Sequence, residues 1–367
     1  MGWNEFLGNQ RIVSALSGML RRDRVPSGLL FTGPRGVGKY TLARMFAQAA
    51  NCERLKDDFC GECSSCRRIE GLANPGPLIQ AGLAERGESA DAATVERAPL
   101  ILENHPDVWV LVPDPVRLRT PVARPMIRVG QLRAVQRAAY FKPQSRRRVF
   151  ILDGADTMRW TDADVFLKIL EEPPESATLI LLAPIPDSLL PTIRSRCLQF
   201  HFAPVATEQV ERFLAEHGTG RRPSERKLAA QLSGGSPGVA LSLNVEDSTR
   251  LRKNILRLLD RAIAGHDWAD VFAATAQLSK QEQESFENIL QLIYSVLTDL
   301  LESSQGLRRI LPRNPDLRRE IETLGQKIDV EWILRATRGL DQLEGRLRRN
   351  VGRQLGLDAL VASLTDR

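Results

Sequence analysis

The chain has 367 residues, 43% of them apolar, and it carries 51 basic against 45 acidic side chains, a formal net charge of +6. That length allows roughly two or three domains of ordinary size. No stretch approaches the roughly 18 to 20 apolar residues of a membrane span, and no signal peptide is visible at the start. Composition therefore predicts a cytoplasmic globular protein without membrane contact, and its basic charge permits contact with nucleic acid without requiring it.

Strand-like and helical patterns alternate through the first 203 residues. A helical pattern from Trp3 to Arg24 precedes a run of four predicted strands, which are Leu29–Phe31, Val108–Val112, Arg148–Asp153 and Thr178–Leu182. Helices are predicted between and after these strands, at Tyr40–Ala50, Val129–Tyr140, Thr161–Glu171 and Leu189–Arg196. Alternation of this kind predicts a parallel α/β sheet.

The pattern changes twice more along the chain. The segment from Gly71 to Pro99 is rich in Gly, Ala and Pro, and it predicts a loop or insertion. After about Pro204 no further strand is predicted, and from Asp247 onward the chain is helical throughout. One apolar stripe, from Phe286 to Leu300, predicts a helix that faces a core.

A glycine-rich turn fits the pattern G-x-x-x-x-G-K. It lies between a predicted strand and a predicted helix, the context in which backbone N–H groups cradle phosphates. Glycine permits the turn, the helix N-terminus adds partial positive charge, and Lys39 reaches the outer phosphates. The sequence therefore predicts a nucleotide-binding P-loop that comprises Gly33, Pro34, Arg35, Gly36, Val37, Gly38 and Lys39.

The positions that handle magnesium and water depart from the hydrolytic pattern. A Ser or Thr that binds Mg²⁺ normally follows Lys39, but this chain has Tyr40, and Thr41 points about 100° away around a helix. Asp153 supplies one carboxylate at the end of a strand, whereas Gly154 stands where hydrolysis needs a Glu that activates water. The sequence therefore predicts a degenerate site, with ATP or ADP as a possible cofactor and without intrinsic ATPase activity.

Four cysteines fall within residues 52–66, at spacings typical of a metal site. Seven residues separate Cys52 from Cys60, and two residues separate Cys60 from Cys63 and Cys63 from Cys66. This spacing lets four thiolates converge on one tetrahedral ion, and four thiolates leave no open coordination position for catalysis. The cluster predicts a structural Zn²⁺ module, with an iron site or scattered reduced thiols as alternatives. Cys197 is distant and is predicted to be a buried thiol.

Several motifs resemble the clamp-loader branch of the AAA+ proteins, and the resemblance covers nearly the whole chain. The motifs are Leu189–Cys197 with its Ser-Arg-Cys ending, Leu170–Pro174, the cysteine cluster, Phe6–Gln10, His105–Asp107 and the stretch from Asn350 to Leu360. The resemblance implies an α/β AAA+ P-loop domain with a parallel sheet at residues 1–203. A small helical lid domain at 204–246 and an all-α collar domain for oligomerisation at 247–367 would follow it.

The resemblance also implies a division of labour between subunits. Arg196 corresponds to an arginine finger, which acts in the ATP site of a neighbouring motor subunit. Where a motor has its sensor residues, this chain has Ala183-Pro184 and Gly238. These departures are similar to a non-motor subunit of the bacterial DNA polymerase III clamp loader. Its implied partners are the gamma/tau motor subunits, the delta subunit, the sliding clamp and primed DNA.

Two other functions are also open at this point. An ATP-hydrolysing motor would need Asp156 or another group to replace the missing Glu. A zinc-dependent nucleic-acid-binding module would draw on the basic balance and on Arg146-Arg147-Arg148, which lie beside a predicted core strand.

Overall fold

The computed structural model describes residues 2–87, 92–115, 125–217, 220–264, 268–280, 286–306, 312–347 and 352–365. They form two compact units, Met1–Gln209 with Gly235–Val239, and Val210–Gly234 with Ala240–Arg367. Each unit has its own hydrophobic core. The predicted lid and collar fall mostly in the second unit, so the three-part division stays a prediction. Asn350, at the start of one quoted motif, lies outside the described residues.

The first unit is built on a six-stranded sheet. Its strands are β1 (Gly28–Thr32), β2 (Ile101–His105), β3 (Val108–Leu111), β4 (Arg148–Asp153), β5 (Ala177–Ala183) and β6 (Leu198–His201). They lie in the order β2-β3-β4-β5-β1-β6. All neighbouring strands pair in parallel except β2 and β3, which form an antiparallel hairpin. The α/β fold class is therefore confirmed, with a sheet that is mixed at one edge.

Helices cover both faces of this sheet and continue through the second unit. In chain order they are α1 (Gln10–Arg21), α2 (Lys39–Asn51), α3 (Ser64–Glu70), α4 (Pro75–Arg86), α5 (Ala92–Arg97), α6 (Val129–Ala139), α7 (Ala163–Glu171), α8 (Pro191–Arg194), α9 (Thr207–Glu216), α10 (Pro223–Leu232), α11 (Pro237–Ser242), α12 (Val245–Ala264), α13 (Trp268–Ser279), α14 (Phe286–Ser304), α15 (Arg318–Gly325), α16 (Val330–Leu347) and α17 (Arg353–Thr365). Within the described residues, no helix is long and apolar enough to cross a membrane.

Both faces of the central strands are covered because their sequences are apolar without interruption. Every residue of β1 and of β5 is buried. One face packs in the cluster that contains Phe31 and Phe46 of α2, and the other packs with Leu30 and Phe166 of α7. Continuous apolar runs of this kind are expected for parallel strands between two helical layers. The sheet therefore brings the carboxyl ends of β1 and β4 to one edge, next to the start of α2.

The prediction of a loop from Gly71 to Pro99 was wrong for the described part of that segment. The segment contains α4 and α5, and α4 begins at Pro75 after Asn74, whose side-chain oxygen accepts a hydrogen bond from the Gly76 backbone N–H at 3.3 Å. Arg86 fixes the other end, since its guanidinium pairs with the fully buried Asp114 at 2.7 Å. Glycine and proline at the ends of these helices concealed them from periodicity.

The second unit packs helices around an aliphatic core, as predicted. The stripe from Phe286 to Leu300 lies on α14 and is buried in that core. One buried ion pair interrupts the aliphatic packing, because the completely buried Arg252 of α12 forms two hydrogen bonds, at 2.6 and 2.9 Å, with Asp316. The apolar periodicity of the sequence predicted the core but not this charged pair.

Candidate functional site

The P-loop connects β1 to α2 and takes the backbone shape that its glycines permit. Gly33, Gly36 and Gly38 have φ angles of 139°, 75° and 103°. A Cβ atom at Gly33 would lie 2.5 Å from the Phe202 carbonyl oxygen, and one at Gly36 would lie 2.7 Å from the Val239 backbone nitrogen. Positive φ and close packing both exclude other residues here. The structure thus brings the predicted loop residues together in one turn.

The ammonium group of Lys39 lies within its own loop. Its Nζ donates hydrogen bonds to the Gly33 carbonyl oxygen at 2.5 Å and to the Pro34 carbonyl oxygen at 2.8 Å. Burial lowers the pKa of Lys39, and the nearby charges of Asp153 and Asp156 oppose that shift. Lys39 therefore faces the acidic residues at the end of β4, as a P-loop lysine should.

The remaining loop residues differ in what they offer a phosphate group. Val37 is buried, and it anchors the loop in the core. Arg35 is exposed, yet its charge acts on the Asp153 carboxyl. Thr41 is exposed on the first turn of α2. The structure therefore shows no described hydroxyl from α2 that takes the place of the missing Ser or Thr.

Tyr40 points its hydroxyl at the turn after α3, the helix that carries Cys66. The phenol donates a hydrogen bond to the Leu72 carbonyl oxygen at 2.6 Å, and the ring is partly buried against the core. Burial, reinforced by the negative charge of Asp153, raises the pKa of Tyr40. The residue at the magnesium-binding position is thus a neutral phenol that is already bonded to a backbone carbonyl.

β4 ends at Asp153, which supplies one carboxylate, and the chain turns at the next residue, Gly154. Burial raises the pKa of Asp153, whereas the charge of Lys39 lowers it. Gly154 has a φ angle of 80°, and a Cβ atom there would lie 2.9 Å from Cγ of Pro113. A Glu at this position would therefore be strained as well as crowded. Asp156 interacts electrostatically with both Lys39 and Asp153, but it lies beyond the turn.

Two further segments close around the P-loop. The Gly33 backbone N–H donates to the Pro184 carbonyl oxygen at 3.0 Å, and the Gly238 backbone N–H donates to the Gly36 carbonyl oxygen at 2.9 Å. These are the segments in which a motor subunit would carry its sensor residues. Here they contribute backbone contacts to the loop. The first contact occupies the Gly33 N–H, a donor that a phosphate could otherwise use, whereas the second occupies only a carbonyl oxygen.

The four predicted cysteine ligands converge. The Sγ atoms of Cys52, Cys60, Cys63 and Cys66 all lie within 4.8 Å of one another. Backbone N–H groups donate to three of these sulfurs, with Leu55, Cys63 and Cys66 as the donors at 3.3 to 3.4 Å. Four thiols held this closely, with N–H donors that stabilise thiolates, suit a tetrahedral metal ion.

The protonation properties of the cysteines also favour a cation among them. Backbone hydrogen bonds from Glu62 and then Cys63 lower the pKa of Cys60 to about 6. Burial raises the pKa of Cys66, so a thiolate there needs a positive partner. The donor set therefore fits a tetrahedral metal ion such as Zn²⁺ bound by all four sulfurs.

One side of α2 is bonded to residues 52–72, which contain the four cysteines, α3 and the turn after it. We call these residues the cysteine module. Tyr40, Arg44 and Gln48 are each four residues apart and so lie on one side of α2. Arg44 forms an ion pair with Glu70, and the buried Gln48 amide donates to the Cys66 carbonyl oxygen at 3.1 Å. This link was not predicted from the sequence, although polar residues at four-residue spacing in a buried helix are a visible signal of it.

His105 has a structural role in the same module. Its Nδ1 accepts a hydrogen bond from the Asp107 backbone N–H at 3.1 Å, and its Nε2 lies 2.9 Å from the Ser65 hydroxyl. Burial lowers the pKa of His105, which favours the neutral ring. The buried Asp107 carboxylate accepts from two backbone N–H groups, of Gln144 and Ser145. These groups join β2 to the cysteine module and leave no reactive pair.

Arg196 lies at the surface, just after α8. Its guanidinium pairs with Glu171 at 2.8 Å and donates to the Thr192 carbonyl oxygen at 2.9 Å. The Arg196 side chain is 36% exposed and that of Glu171 is 48% exposed. The neighbouring thiol of Cys197 is buried, as predicted, and burial raises its pKa to about 12. Arg196 is thus an accessible cation held by a carboxylate of the Leu170–Pro174 motif.

The three consecutive arginines, residues 146–148, donate hydrogen bonds to backbone carbonyl oxygens of the first unit. Arg146 donates to the carbonyl oxygens of Ala49 and Leu55 at 2.8 and 2.9 Å. Arg147 donates to the Glu175 carbonyl oxygen at 3.0 Å, and the buried Arg148 donates to that of Ala138 at 3.0 Å. Arg148 is thus internal, whereas Arg146 is exposed with its guanidinium bonded to backbone carbonyl oxygens, which weakens the residue-level support for a zinc-dependent nucleic-acid-binding module.

Known proteins from several bacteria are similar to this chain. It is 28% identical to DNA polymerase III subunit tau of Escherichia coli over 65% of this chain, and it spans about a third, 32%, of that relative. It is 26% identical to DNA polymerase III subunit delta' of Bacillus subtilis over 80% of this chain and 78% of that relative. A solved gamma subunit-related protein of Thermotoga maritima is 18% identical over 97% of this chain and 99% of that one, with a TM-score of 0.40.

Family models cover both units. The model described as DNA polymerase III, delta subunit, matches residues 8–206, and the model for the C-terminal part of that subunit matches residues 246–365. The first match alone covers more than half of the chain, and it includes the P-loop, the cysteine cluster and Arg196. The resemblance drawn from the motifs is thereby confirmed, and the chain belongs to the DNA polymerase III delta subunit family of AAA+ clamp-loader proteins.

Proposed function

We propose that the chain is a non-motor, delta-prime-type subunit of a DNA polymerase III clamp loader. It would help gamma/tau motor subunits and a delta subunit to place a sliding clamp on primed DNA in the cytoplasm. Family membership and the similarity to the delta' subunit of Bacillus subtilis support this role. The single observation that carries the non-motor assignment is the hydrogen bond of the Tyr40 hydroxyl to the Leu72 carbonyl oxygen.

That hydrogen bond bears on hydrolysis because phosphoryl transfer depends on a correctly placed Mg²⁺. A Ser or Thr hydroxyl at position 40 would reach the ion, but the phenol is directed to Leu72 instead. Water activation is missing as well, since Gly154 has no side chain and its backbone disfavours one. ATP or ADP binding is compatible with the glycine turn and Lys39, whereas hydrolysis is not expected.

The chemical contribution of this subunit would be Arg196, acting in the ATP site of a neighbour. The side chain is exposed, and among the described residues it bonds to groups of its own loop and to Glu171. An arginine supplied in trans stabilises the charge that develops on the transferred phosphoryl group, which is worth roughly 10³ to 10⁵ in rate in GTPases. The role of Zn²⁺ would be structural, in the module of Cys52, Cys60, Cys63 and Cys66.

The decisive experiment measures ATP hydrolysis by the reconstituted complex with clamp and primed DNA. Arg196→Ala should lower the rate by roughly 10² or more, and Arg196→Lys should restore little, because lysine lacks the planar fork of donors. Lys39→Ala should leave the rate nearly unchanged. Glu171→Gln is the matched control, since it removes the ion pair of Arg196 and keeps the arginine.

The ATP-hydrolysing motor is the second candidate, because the P-loop lysine, Lys39, and the carboxylate at the end of β4, Asp153, interact electrostatically. That function predicts DNA-stimulated ATPase activity of the isolated chain, abolished by Lys39→Ala. Turnover of this kind would overturn the non-motor assignment. An unchanged rate of the complex with Arg196→Ala would overturn the finger.

A further inference from the structure

One thiol of the cysteine module is more accessible than the other three. Cys60 is partly exposed and lies outside any helix or strand. The other three, Cys52, Cys63 and Cys66, are buried, with at most 5% of each residue exposed. Oxidation of a cysteine depends on the exposure of its sulfur as well as on its charge. A reagent in solution is therefore expected to reach Cys60 first.

A second thiol lies within reach of Cys60. Two residues separate Cys60 from Cys63, the Cys63 backbone N–H donates to the Cys60 Sγ at 3.3 Å, and the two Sγ atoms lie within 4.8 Å of each other. A disulfide joins sulfurs that are about 2 Å apart, so these two need to approach by less than about 3 Å. An accessible thiol beside a second one is the arrangement found in cysteines that sense oxidants.

The chain between the two thiols suits that approach. Cys63 caps the start of α3, and its sulfur accepts the Cys66 backbone N–H at 3.4 Å. Gly61 has a φ angle of 73°, in the region that glycine adopts without strain. The helix thus fixes Cys63, and the turn at Gly61 is the part that would move to bring Cys60 to it.

We propose that Cys60 is a site of oxidation by hydrogen peroxide, and that Cys63 converts the oxidised sulfur to a disulfide. In the first step the Cys60 sulfur attacks a peroxide oxygen, and the O–O bond breaks. Cys60 becomes a sulfenic acid, and its proton leaves with the second oxygen as water. In the second step the Cys63 sulfur attacks the Cys60 sulfur, the S–S bond forms and the S–O bond breaks. The hydroxyl leaves with the Cys63 proton as a second water, so that two thiols are oxidised and one peroxide is reduced.

This disulfide would dismantle the metal-binding set of the cysteine module. Metal ions bind thiolates, and a disulfide sulfur carries no such charge. Cys52 and Cys66 alone provide two of the four donors that a structural Zn²⁺ needs. Oxidation of Cys60 and Cys63 is therefore expected to release a metal ion held by the four sulfurs, one ion for each disulfide.

The effect would also reach the P-loop through the N-terminal residues. The Asp57 carbonyl oxygen, three residues before Cys60, accepts a hydrogen bond from Nε1 of Trp3 at 2.7 Å. Phe6 follows on the same N-terminal segment, and a Cβ atom at Gly38 of the P-loop would lie 2.9 Å from its ring. A shift of Cys60 towards its partner thiol therefore disturbs the anchor of a segment that packs on the P-loop. This route is separate from the contacts of α2 with the cysteine module.

The test treats the purified full chain, loaded with Zn²⁺, with increasing hydrogen peroxide and follows each cysteine by differential alkylation and mass spectrometry. We expect Cys60 and Cys63 to lose alkylation together and to appear in one cross-linked species, lighter by two hydrogen atoms. Release of Zn²⁺, measured with a chromogenic chelator, should keep pace with that disulfide. The buried Cys197 is the internal control, and it should react at least roughly tenfold more slowly.

A variant separates the two chemical steps. Cys63→Ser removes the second thiol, so Cys60 should stop at the sulfenic acid and give a dimedone adduct that the unmodified chain gives only in traces. Cys197→Ser is the matched control, and its pattern of oxidation should equal that of the unmodified chain. In the oxidised chain, hydrogen exchange should increase at residues 3–6 and in α2, and it should stay unchanged in α14.

The mapping on the unmodified chain decides the outcome even if Cys63→Ser does not fold. Oxidation of another cysteine before Cys60 would overturn the assignment, and so would a Cys60 that is oxidised without a disulfide to Cys63. A disulfide that forms while Zn²⁺ stays bound would overturn the proposed loss of the metal set. Since no motor subunit, clamp or DNA takes part, these results are independent of the Arg196 assay, and failure of either leaves the other untouched.

Discussion

At the scale of single residues, the proposal that this chain binds phosphate without hydrolysing ATP rests on positions 40 and 154. The glycine turn and Lys39 keep the geometry that a phosphate needs, while the Tyr40 hydroxyl is bonded to Leu72 and Gly154 adopts a backbone that favours glycine. Each change alone would impair catalysis. Together they affect two different requirements, the position of the metal ion and the activation of water.

Removing the Tyr40 hydroxyl should cost stability. Tyr40→Phe leaves the Leu72 carbonyl oxygen without its donor, so we expect the free energy of unfolding to fall by about 1 to 2 kcal/mol, measured by urea denaturation. Tyr140→Phe is the control, because that hydroxyl is exposed and its bond to the Glu172 carbonyl oxygen is 3.3 Å long. Equal effects of the two substitutions would contradict the bracing role of Tyr40.

Restoring the missing acid should not restore a motor. Gly154→Glu places a side chain at a φ angle of 80° and against Pro113, so we expect a loss of about 1 to 3 kcal/mol and no gain in ATP hydrolysis. Gly154→Asn should be tolerated better, because asparagine adopts this backbone region more readily. Thermal denaturation and a phosphate-release assay measure both effects. ATPase activity in Gly154→Glu would show that the turn is adaptable.

At the scale of elements, the cysteine module and α2 behave as one unit. Tyr40, Arg44 and Gln48 hold the helix to α3 and to the turn after it, and Gln48 bonds directly to the backbone of Cys66. The cysteine cluster is therefore one residue contact away from the helix that follows the P-loop. We therefore expect that a loss of order in the thiol cluster would also loosen the first turns of α2.

Removal of the metal is the way to measure that connection. The purified chain should contain about one Zn²⁺ per molecule, and chelation or Cys63→Ser should increase hydrogen exchange in α3 and in α2 from Tyr40 to Gln48. Exchange in α14 of the second unit should not change, and it serves as the internal control. Metal-free protein with unaltered exchange in α2 would show that the helix is held independently.

The sequence predicted elements well where one physical signal dominates. The central strands β1, β4 and β5 are continuous apolar runs, and the four cysteines have metal-site spacing. β2 was not predicted because it contains polar residues and has no continuous apolar run; its pairing with β3 in a hairpin is what makes it a strand. β6 was not predicted because it is an exposed edge strand. The direction of the Tyr40 hydroxyl depends on Leu72, 32 residues along the chain, and no local pattern reports such a contact.

At the scale of the whole molecule, two units carry different kinds of site. The first contains a P-loop whose lysine is folded into the loop, the cysteine module and Arg196, and the second contains a groove lined by cations. The net charge of +6 did not foretell this distribution. Of the three consecutive arginines, Arg148 is buried and Arg146 is exposed, and all three donate hydrogen bonds to backbone carbonyl oxygens.

A global measurement can test whether the nucleotide site handles magnesium. Ligand that binds only the folded state raises the midpoint of thermal unfolding. We expect ATP with excess Mg²⁺ to raise that midpoint no more than ATP with a chelator of Mg²⁺, because position 40 provides no ligand for the ion. The chelator must be weak for Zn²⁺, so that the cysteine module stays loaded. A further rise of several degrees with Mg²⁺ would contradict this expectation.

The bond between Tyr40 and Leu72 also has an evolutionary consequence. A lineage that regained serine at position 40 would recover a metal ligand but lose a brace of the cysteine module, and Gly154 would still leave water unactivated. Each single step back towards hydrolysis would thus lower stability before it gave any activity. Under the proposed non-motor role, a loss of catalysis would in that sense reinforce itself, and we expect descendants of such a chain to drift further from the motor sequence.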